Sequence, residues 1–312
     1  SDNALREIDA LHKLGGYMIF KGDDIYPNNL AAIEDAPPVL SIIGQTKCLN
    51  QPSIAIVGSR NASLNGRKLA KHMASHLGAA GHTVTSGLAR GIDTAAHEGA
   101  LKTGTIAVVA GGVDVVYPRE NTDLYKSICE QGAVMSECAL GMQPIAQHFP
   151  KRNRIVSGLS LGVVVVEANL KSGSLITARM AAEQGRDVMA VPGFPMDPRS
   201  EGTNALIRDG VTLVRHAEDV QEQVSSFLKN QPQQSLFSEI HNLEEETPPS
   251  LHQRSPAELY HLIYSELSTS PVGVDEIIQS CDLRSADVQG ILLEMELEGI
   301  VQRLPGNRVC LI

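Results

Sequence analysis

Four short segments hold the residues that could meet an anion. Gly58-Ser59-Arg60 closes the apolar run SIAIVG. Its glycine permits a tight turn and a close approach of backbone N–H groups, Ser59 adds a hydroxyl, and Arg60 a planar fork for phosphate oxygens. SGLARGID (86–93) brackets Arg90 with glycines, and Ser86 and Gly87 open what reads as a phosphate-cradling turn. FPKRNRI (149–155) gathers Lys151, Arg152 and Arg154 around Asn153, the densest basic cluster in a chain of formal charge −10. Lys171-Ser172-Gly173-Ser174 precedes the helix-like stretch LITARMAAEQGR, so its hydroxyls and N–H groups face an anion at a helix start. The basic cluster is expected to face Arg60, and a helix over 66–80 is expected to aim its N-terminal dipole at the same place. Asp93 reads as a helix cap, His97 as a structural histidine and Arg119 as a surface charge.

Other chemistries lack their residues. There is no GxxxxGK[ST], GxGxxG or HExxH, and no Cys/His cluster. Asp93, Asp114, Glu137 and Glu167 show no paired spacing for acid–base work. No catalytic residue, metal or cofactor is therefore expected. The five cysteines form no CxxC, which fits reduced thiols in a cytoplasmic protein. The start, SDNALREIDALHKL, is an amphipathic mix rather than a signal peptide, and no run of eighteen apolar residues predicts a membrane span. With no Trp and 4% aromatics, a groove of many stacked bases is hard to build.

These segments need elements to hold them. Apolar runs begin at 53, 82, 105, 133, 161, 187 and 211 and alternate with amphipathic stretches. Most of the runs are apolar without alternation, as expected of strands buried on both faces. The expected fold is α/β: a doubly wound, extended Rossmann-like, mostly parallel sheet with a small C-terminal winged-helix domain. Residues 1–52 read as an N-terminal helical extension leading into the sheet domain, 53–228 as the Rossmann-like domain, 229–255 as a flexible linker and 256–312 as the winged helix. From 229 on, 13 acidic residues face 5 basic ones. The recognition helix expected at 285–298 has no Lys or Arg, so a protein partner suits it better than phosphates.

IAIVGSR (54–60), SGLARGIDTAAHEGAL (86–101), TIAVVAGGVDVVYPREN (105–121), FPKRNRIVSGLS (149–160), VVVVEANLKSGSLITARMAAEQGRDVMAVPG (163–193) and GTNALIRDG (202–210) together resemble the DNA-processing protein A (Smf) family across residues 26–215. The resemblance implies a non-enzymatic, dimeric protein of natural transformation. Such a protein binds and protects incoming single-stranded DNA and helps load the RecA recombinase. Carried onto this chain, the DNA contacts would be Gly58, Ser59 and Arg60, the Lys151–Arg154 patch and the Ser172–Ser174 turn. An alternative is a nucleotide-binding or nucleotide-cleaving enzyme of the lysine-decarboxylase-like type, whose signature is PGGxGTxxE. Here eight residues separate Pro192-Gly193 from Gly202-Thr203, and Leu206 stands in the slot of the catalytic Glu. A third reading is a sensor of a nucleotide-derived signal with the winged helix as output.

Overall fold

A computed structural model describes residues 2–230, 256–267, 272–281, 283, 285–304 and 307–311. The chain divides into two units between Gln233 and Gln234.

The first unit is built on nine strands: β1 (Gly16–Phe20), β2 (Val39–Gly44), β3 (Ser53–Val57), β4 (Thr83–Ser86), β5 (Thr105–Val108), β6 (Ala133–Ser136), β7 (Gly162–Val165), β8 (Asp187–Ala190) and β9 (Thr212–Leu213). They form one sheet in the order β1-β2-β6-β5-β4-β3-β7-β8-β9. Its helices are α1 (Asp2–Lys13), α2 (Asn28–Ala31), α3 (Leu64–Ala79), α4 (Ile92–Ala100), α5 (Thr122–Gln131), α6 (His148–Leu159), α7 (Gly173–Glu183), α8 (Glu201–Arg208) and α9 (Ala217–Asn230).

Each of the seven apolar runs contains a strand, and β3 through β9 pair in parallel. The two faces follow from the period-two alternation of side chains. Ala55, Val57, Val163 and Val165 enter one core with Ile155, Val156 and Ala178. Ile54, Ile56 and Val164 enter the opposite core with Met73, Leu77 and Ile92. Helices thus cover both faces, which is why Ile54–Val57 and Val163–Val165 carry no polar side.

The N-terminal segment holds more than the helical extension expected of residues 1–52. α1 is present, but β1 and β2 continue the sheet, β1 antiparallel to β2 and β2 antiparallel to β6. Amphipathic periodicity dominates residues 2–13, while GYMIF and VLSIIG are short runs rich in aromatic and β-branched residues. Gly15 and Gly22 flank β1 at φ +75° and +113°, and Ile19, Leu40 and Ile42 are fully buried.

The second unit comprises α10 (Pro256–Glu266), β10 (Val272–Gly273), α11 (Val274–Cys281), α12 (Ser285–Leu297), β11 (Val301–Leu304) and β12 (Arg308–Leu311). Three helices and an antiparallel sheet in the order β10-β12-β11 make a winged helix around Ile263, Ile277, Leu292, Met295 and Val309. Of the expected linker, residues 229 and 230 end α9 and the rest lies outside the described residues. Among the described residues no helix is long and apolar enough to cross a membrane.

Candidate functional site

From β3 the chain steps through β4, β5 and β6 in one direction; from β7 it steps through β8 and β9 in the other. β3 and β7 are neighbours, so the loops beyond their carboxyl ends diverge and leave a crevice, where open α/β sheets bind ligands. A cavity of about 630 Å³ lies there. Val57–Asn61 line it from β3, Gly87, Ala89 and Asp93 from β4, and Asn169 and Lys171–Ser174 from the β7–α7 connection.

A further wall is α6. Phe149, Arg152, Asn153 and Val156 face the cavity together with Pro150. Their spacing is one face of a helix. FPKRNRI is therefore not one cationic patch: helical winding distributes its charges to different sides. Lys151 is exposed on the adjoining face with His148 and Ile155, beside a separate cavity of about 40 Å³ that Glu137 and Cys138 also line. Arg154 is neutralised by Glu137 at 2.6 Å and Asp35 at 3.3 Å. Neither Lys151 nor Arg154 lines the main cleft, contrary to the expectation of three phosphate-facing cations.

Arg152 does reach the cleft, but as a buried residue. Its Nη1 donates to the Val108 carbonyl at 2.7 Å. Burial draws its pKa down to about 10 while Asp93 opposes the shift, so it remains a cation at neutral pH. Its seat depends on Gly87: a Cβ there would lie 1.7 Å from Nη1.

The β4–α4 loop also departs from the cradle expected of it. Ser86 is fully buried and donates to the Ile56 carbonyl. Asp93 accepts from the N–H groups of Gly87 and Ala89 at 3.1 and 3.3 Å, so it braces the loop from the first turn of α4 instead of capping the helix. Desolvation raises the Asp93 pKa, against the lowering by Arg152 and those two N–H groups. With these donors already taken, the loop offers less to an outside anion. Arg90 points away and pairs with Glu120 at 2.6 Å. Arg119 is exposed.

The start of α3 is occupied in the same way. Ser63 caps it, accepting from Gly66 N, and Glu167 accepts from the Ser63 N–H at 2.8 Å and from the Ser63 hydroxyl. Gly66 leaves room for that carboxylate, which a Cβ would meet at 2.5 Å. The positive end of the α3 dipole thus faces Glu167, not a ligand.

What stays open lies at Arg60 and at the start of α7. Arg60 is exposed, and its guanidinium carbon lies 5.1 Å from the centroid of the Phe149 ring. Tyr117 packs against Phe149 with ring centroids 5.8 Å apart. Gly58 fits tightly between Ile92 and the Glu167 carbonyl. Ser59 accepts from the Asn61 N–H. Across the cleft, the Ser172 and Ser174 hydroxyls are 2.7 Å apart at the N-terminus of α7. Gly173 has free space where a side chain would project, and Asn153 donates to its carbonyl at 3.4 Å. Lys171 is exposed at the rim. Among the described residues no carboxylate lies in ion-pair range of Arg60 or Lys171. Arg199 also lines the cleft, gripping Asp197 with Nε and Nη2 at 3.0 and 2.9 Å.

Sequence reasoning missed Phe149, Asn61, Asn169 and Arg199. Phe149 stood inside a quoted motif but was passed over for its cations; a helical wheel over 148–159 puts it beside Arg152 and Asn153. Asn169 and Arg199 carried no such signal, because loop folding alone brings them in. His97 is buried with Nδ1 on the Thr105 hydroxyl, as a structural histidine would be.

Comparison with known proteins matches residues 17–225 to a family described as DNA recombination-mediator protein A, and residues 245–307 to the DprA winged helix domain. Protein Smf of Escherichia coli is 38% identical over 299 residues, covering 94% of this chain and 77% of that protein. DNA processing protein DprA of Streptococcus pneumoniae is 46% identical over 200 residues, 64% of this chain and 71% of the relative. The structure of the Streptococcus pneumoniae protein superposes with a TM-score of 0.64 at 44% identity, covering 66% of this chain and 73% of that one. A structure of DNA processing protein A from Helicobacter pylori, described for its single-stranded DNA binding mode, gives a TM-score of 0.61 at 30% identity over 69% of this chain and 96% of its own.

Proposed function

The chain belongs to the DNA recombination-mediator protein A family, and on that premise we propose that its cleft binds single-stranded DNA without sequence preference, as a step in DNA processing during natural transformation. The observation that carries this reading is the pairing of uncompensated cations, Arg60 and Lys171, with an aromatic ring, Phe149, in one crevice. Arg60 and Lys171 take phosphates, Arg152 adds a fixed positive field from the floor, and Ser172 and Ser174 donate hydroxyls at a helix start. Phe149 supplies a face on which any base can stack. None of these contacts reads a base edge, so the strand is held by its backbone and ring faces.

Binding is favoured over cleavage. Asp93, which lines the cleft, and Glu167, at the start of α3, are both engaged with backbone donors. Leu206, in the slot of the catalytic Glu of the nucleotide-cleaving family, packs against the core. The protein acts as a cytoplasmic homodimer that protects incoming strands and hands them to RecA. Two linked clefts on one strand raise affinity through effective concentration. The winged helix serves a protein partner: α12 exposes Glu294, and the wing residue Arg303 is tied to Glu296 at 3.1 Å.

The test is Phe149→Ala against an oligo-dT series of increasing length, followed by fluorescence anisotropy. Loss of one stacked base is expected to cost about 1–3 kcal/mol while the salt dependence stays put. Unchanged affinity in the folded variant would remove Phe149 from the interface.

A further inference from the structure

The cleft residue Arg199 lies on the loop 193–199, part of the connection from β8 to α8. This loop carries two of the most exposed apolar side chains in the unit, Phe194 at 70% and Met196 at 81%. Leu170, the neighbour of the rim residue Lys171, is 62% exposed. Exposure of one large apolar residue needs no explanation, but three on two connections hydrogen-bonded to each other do.

The loop is held firmly. Gly193 N–H donates to Asn204 Oδ1, and Asn204 Nδ2 donates back to the Gly193 carbonyl, at 3.1 and 3.0 Å. Asp197 N–H bonds the Phe194 carbonyl, and Ser200 N–H the Asp197 carbonyl, at 2.9 and 2.8 Å. Ala168 N–H donates to the Arg199 carbonyl at 2.7 Å, which ties the loop to the β7–α7 connection carrying Asn169 and Lys171. Arg199 consumes the charge of Asp197, so the loop tip presents no free carboxylate of its own to repel phosphate.

We infer that Phe194, with Met196 beside it, is a second base platform that receives the strand as it leaves the cleft past Lys171 and Arg199. This rests on the reading of the cleft as a single-strand site. The occupant is nucleic acid rather than a second copy of the chain, because the centre of a protein interface is depleted of charge. Here the apolar side chains lie on loops next to Lys171, which no carboxylate compensates among the described residues. A strand satisfies both at once, phosphate on Lys171 and a base face on the ring.

The experiment compares wild type, Phe194→Ala and Phe194→Tyr on oligo-dT long enough to fill only the cleft and on progressively longer oligo-dT. Phe194→Ala is expected to match wild type on the short oligomer and to bind the longer ones about tenfold more weakly, with Phe194→Tyr restoring affinity. Photocrosslinking of 5-iodo-deoxyuridine oligomers is expected at Phe194 only beyond the short length. Equal affinity of wild type and Phe194→Ala at every length overturns the inference while leaving the cleft reading intact. Failure of wild type to bind any oligomer sinks the cleft reading itself. A lower sedimentation mass for Phe194→Ala without DNA assigns the loop to self-association and also overturns the inference.

Discussion

Gly87→Ala is expected to unseat Arg152. The new methyl would lie 1.7 Å from Nη1, a distance no real contact tolerates. The guanidinium is the movable partner, but moving it breaks its bond to the Val108 carbonyl and drives the group into the cleft. A hydrogen bond from a charged donor is worth about 1.5–3 kcal/mol, and the orphaned carbonyl adds to the loss. Urea unfolding is expected to register a cost on the order of 2 kcal/mol, and oligo-dT affinity is expected to fall with it. The mechanism is separable from general damage by a double-mutant cycle. In an Arg152→Ala background the same glycine substitution should cost little, because nothing remains to be displaced. Additive losses would mean that Gly87 serves the backbone and not the arginine.

The second large effect is acid sensitivity from His97, fully buried 8 residues before Thr105. The Thr105 hydroxyl gives its single proton to the Val84 carbonyl, so His97 Nδ1 must be the donor to Thr105. Nε2 is buried without a partner, and a proton there would have none either. Desolvation, with a smaller push from Arg152, lowers the pKa to about 3. The unfolded value lies near 6.5, so the unfolded chain takes up the proton first. This contribution is whole above about pH 6.5 and drains away as pH falls towards 3, by as much as several kcal/mol. Asp93 works in the opposite sense: its raised pKa makes the folded state gain relative stability on acidification. Thermal unfolding between pH 7 and 4 is expected to fall steeply in wild type and less steeply in His97→Gln. Equal slopes would mean that the imidazole is charged or hydrated in the fold.

The parallel sheet was legible because burial on both faces leaves an unmistakable trace, runs such as IAIV and VVVV with no polar alternation. β1 and β2 left a weaker one: GYMIF and VLSIIG are isolated short runs beside a strongly amphipathic helix. The site was legible only as to place. Gly58, Arg60 and the Lys171–Ser174 turn stand at strand ends, where topology brings them together. The assignment of charges was not legible, since a run of cations says nothing about which helix face each occupies. Glu137 and Glu120 pair with Arg154 and Arg90 from 17 and 30 residues away, and no local pattern announces such partners. Gly87 looked like a ligand-binding glycine, yet it makes room for a side chain of the protein itself, Arg152, as Gly66 does for Glu167.

The central claim is that Arg60 and Lys171, rather than the denser charges of 151–154, hold the phosphates. The most direct measurement is the salt dependence of oligo-dT binding for wild type, for Arg60→Ala/Lys171→Ala, and for the control Arg90→Ala/Arg119→Ala. Each phosphate contact on single strands contributes a slope of about −0.7 in log affinity against log salt. The cleft variant is expected to bind more weakly with a slope shallower by about 1.4 per subunit. The control is expected to follow wild type. A folded cleft variant with an unchanged slope, or a control that loses as much, would contradict the assignment.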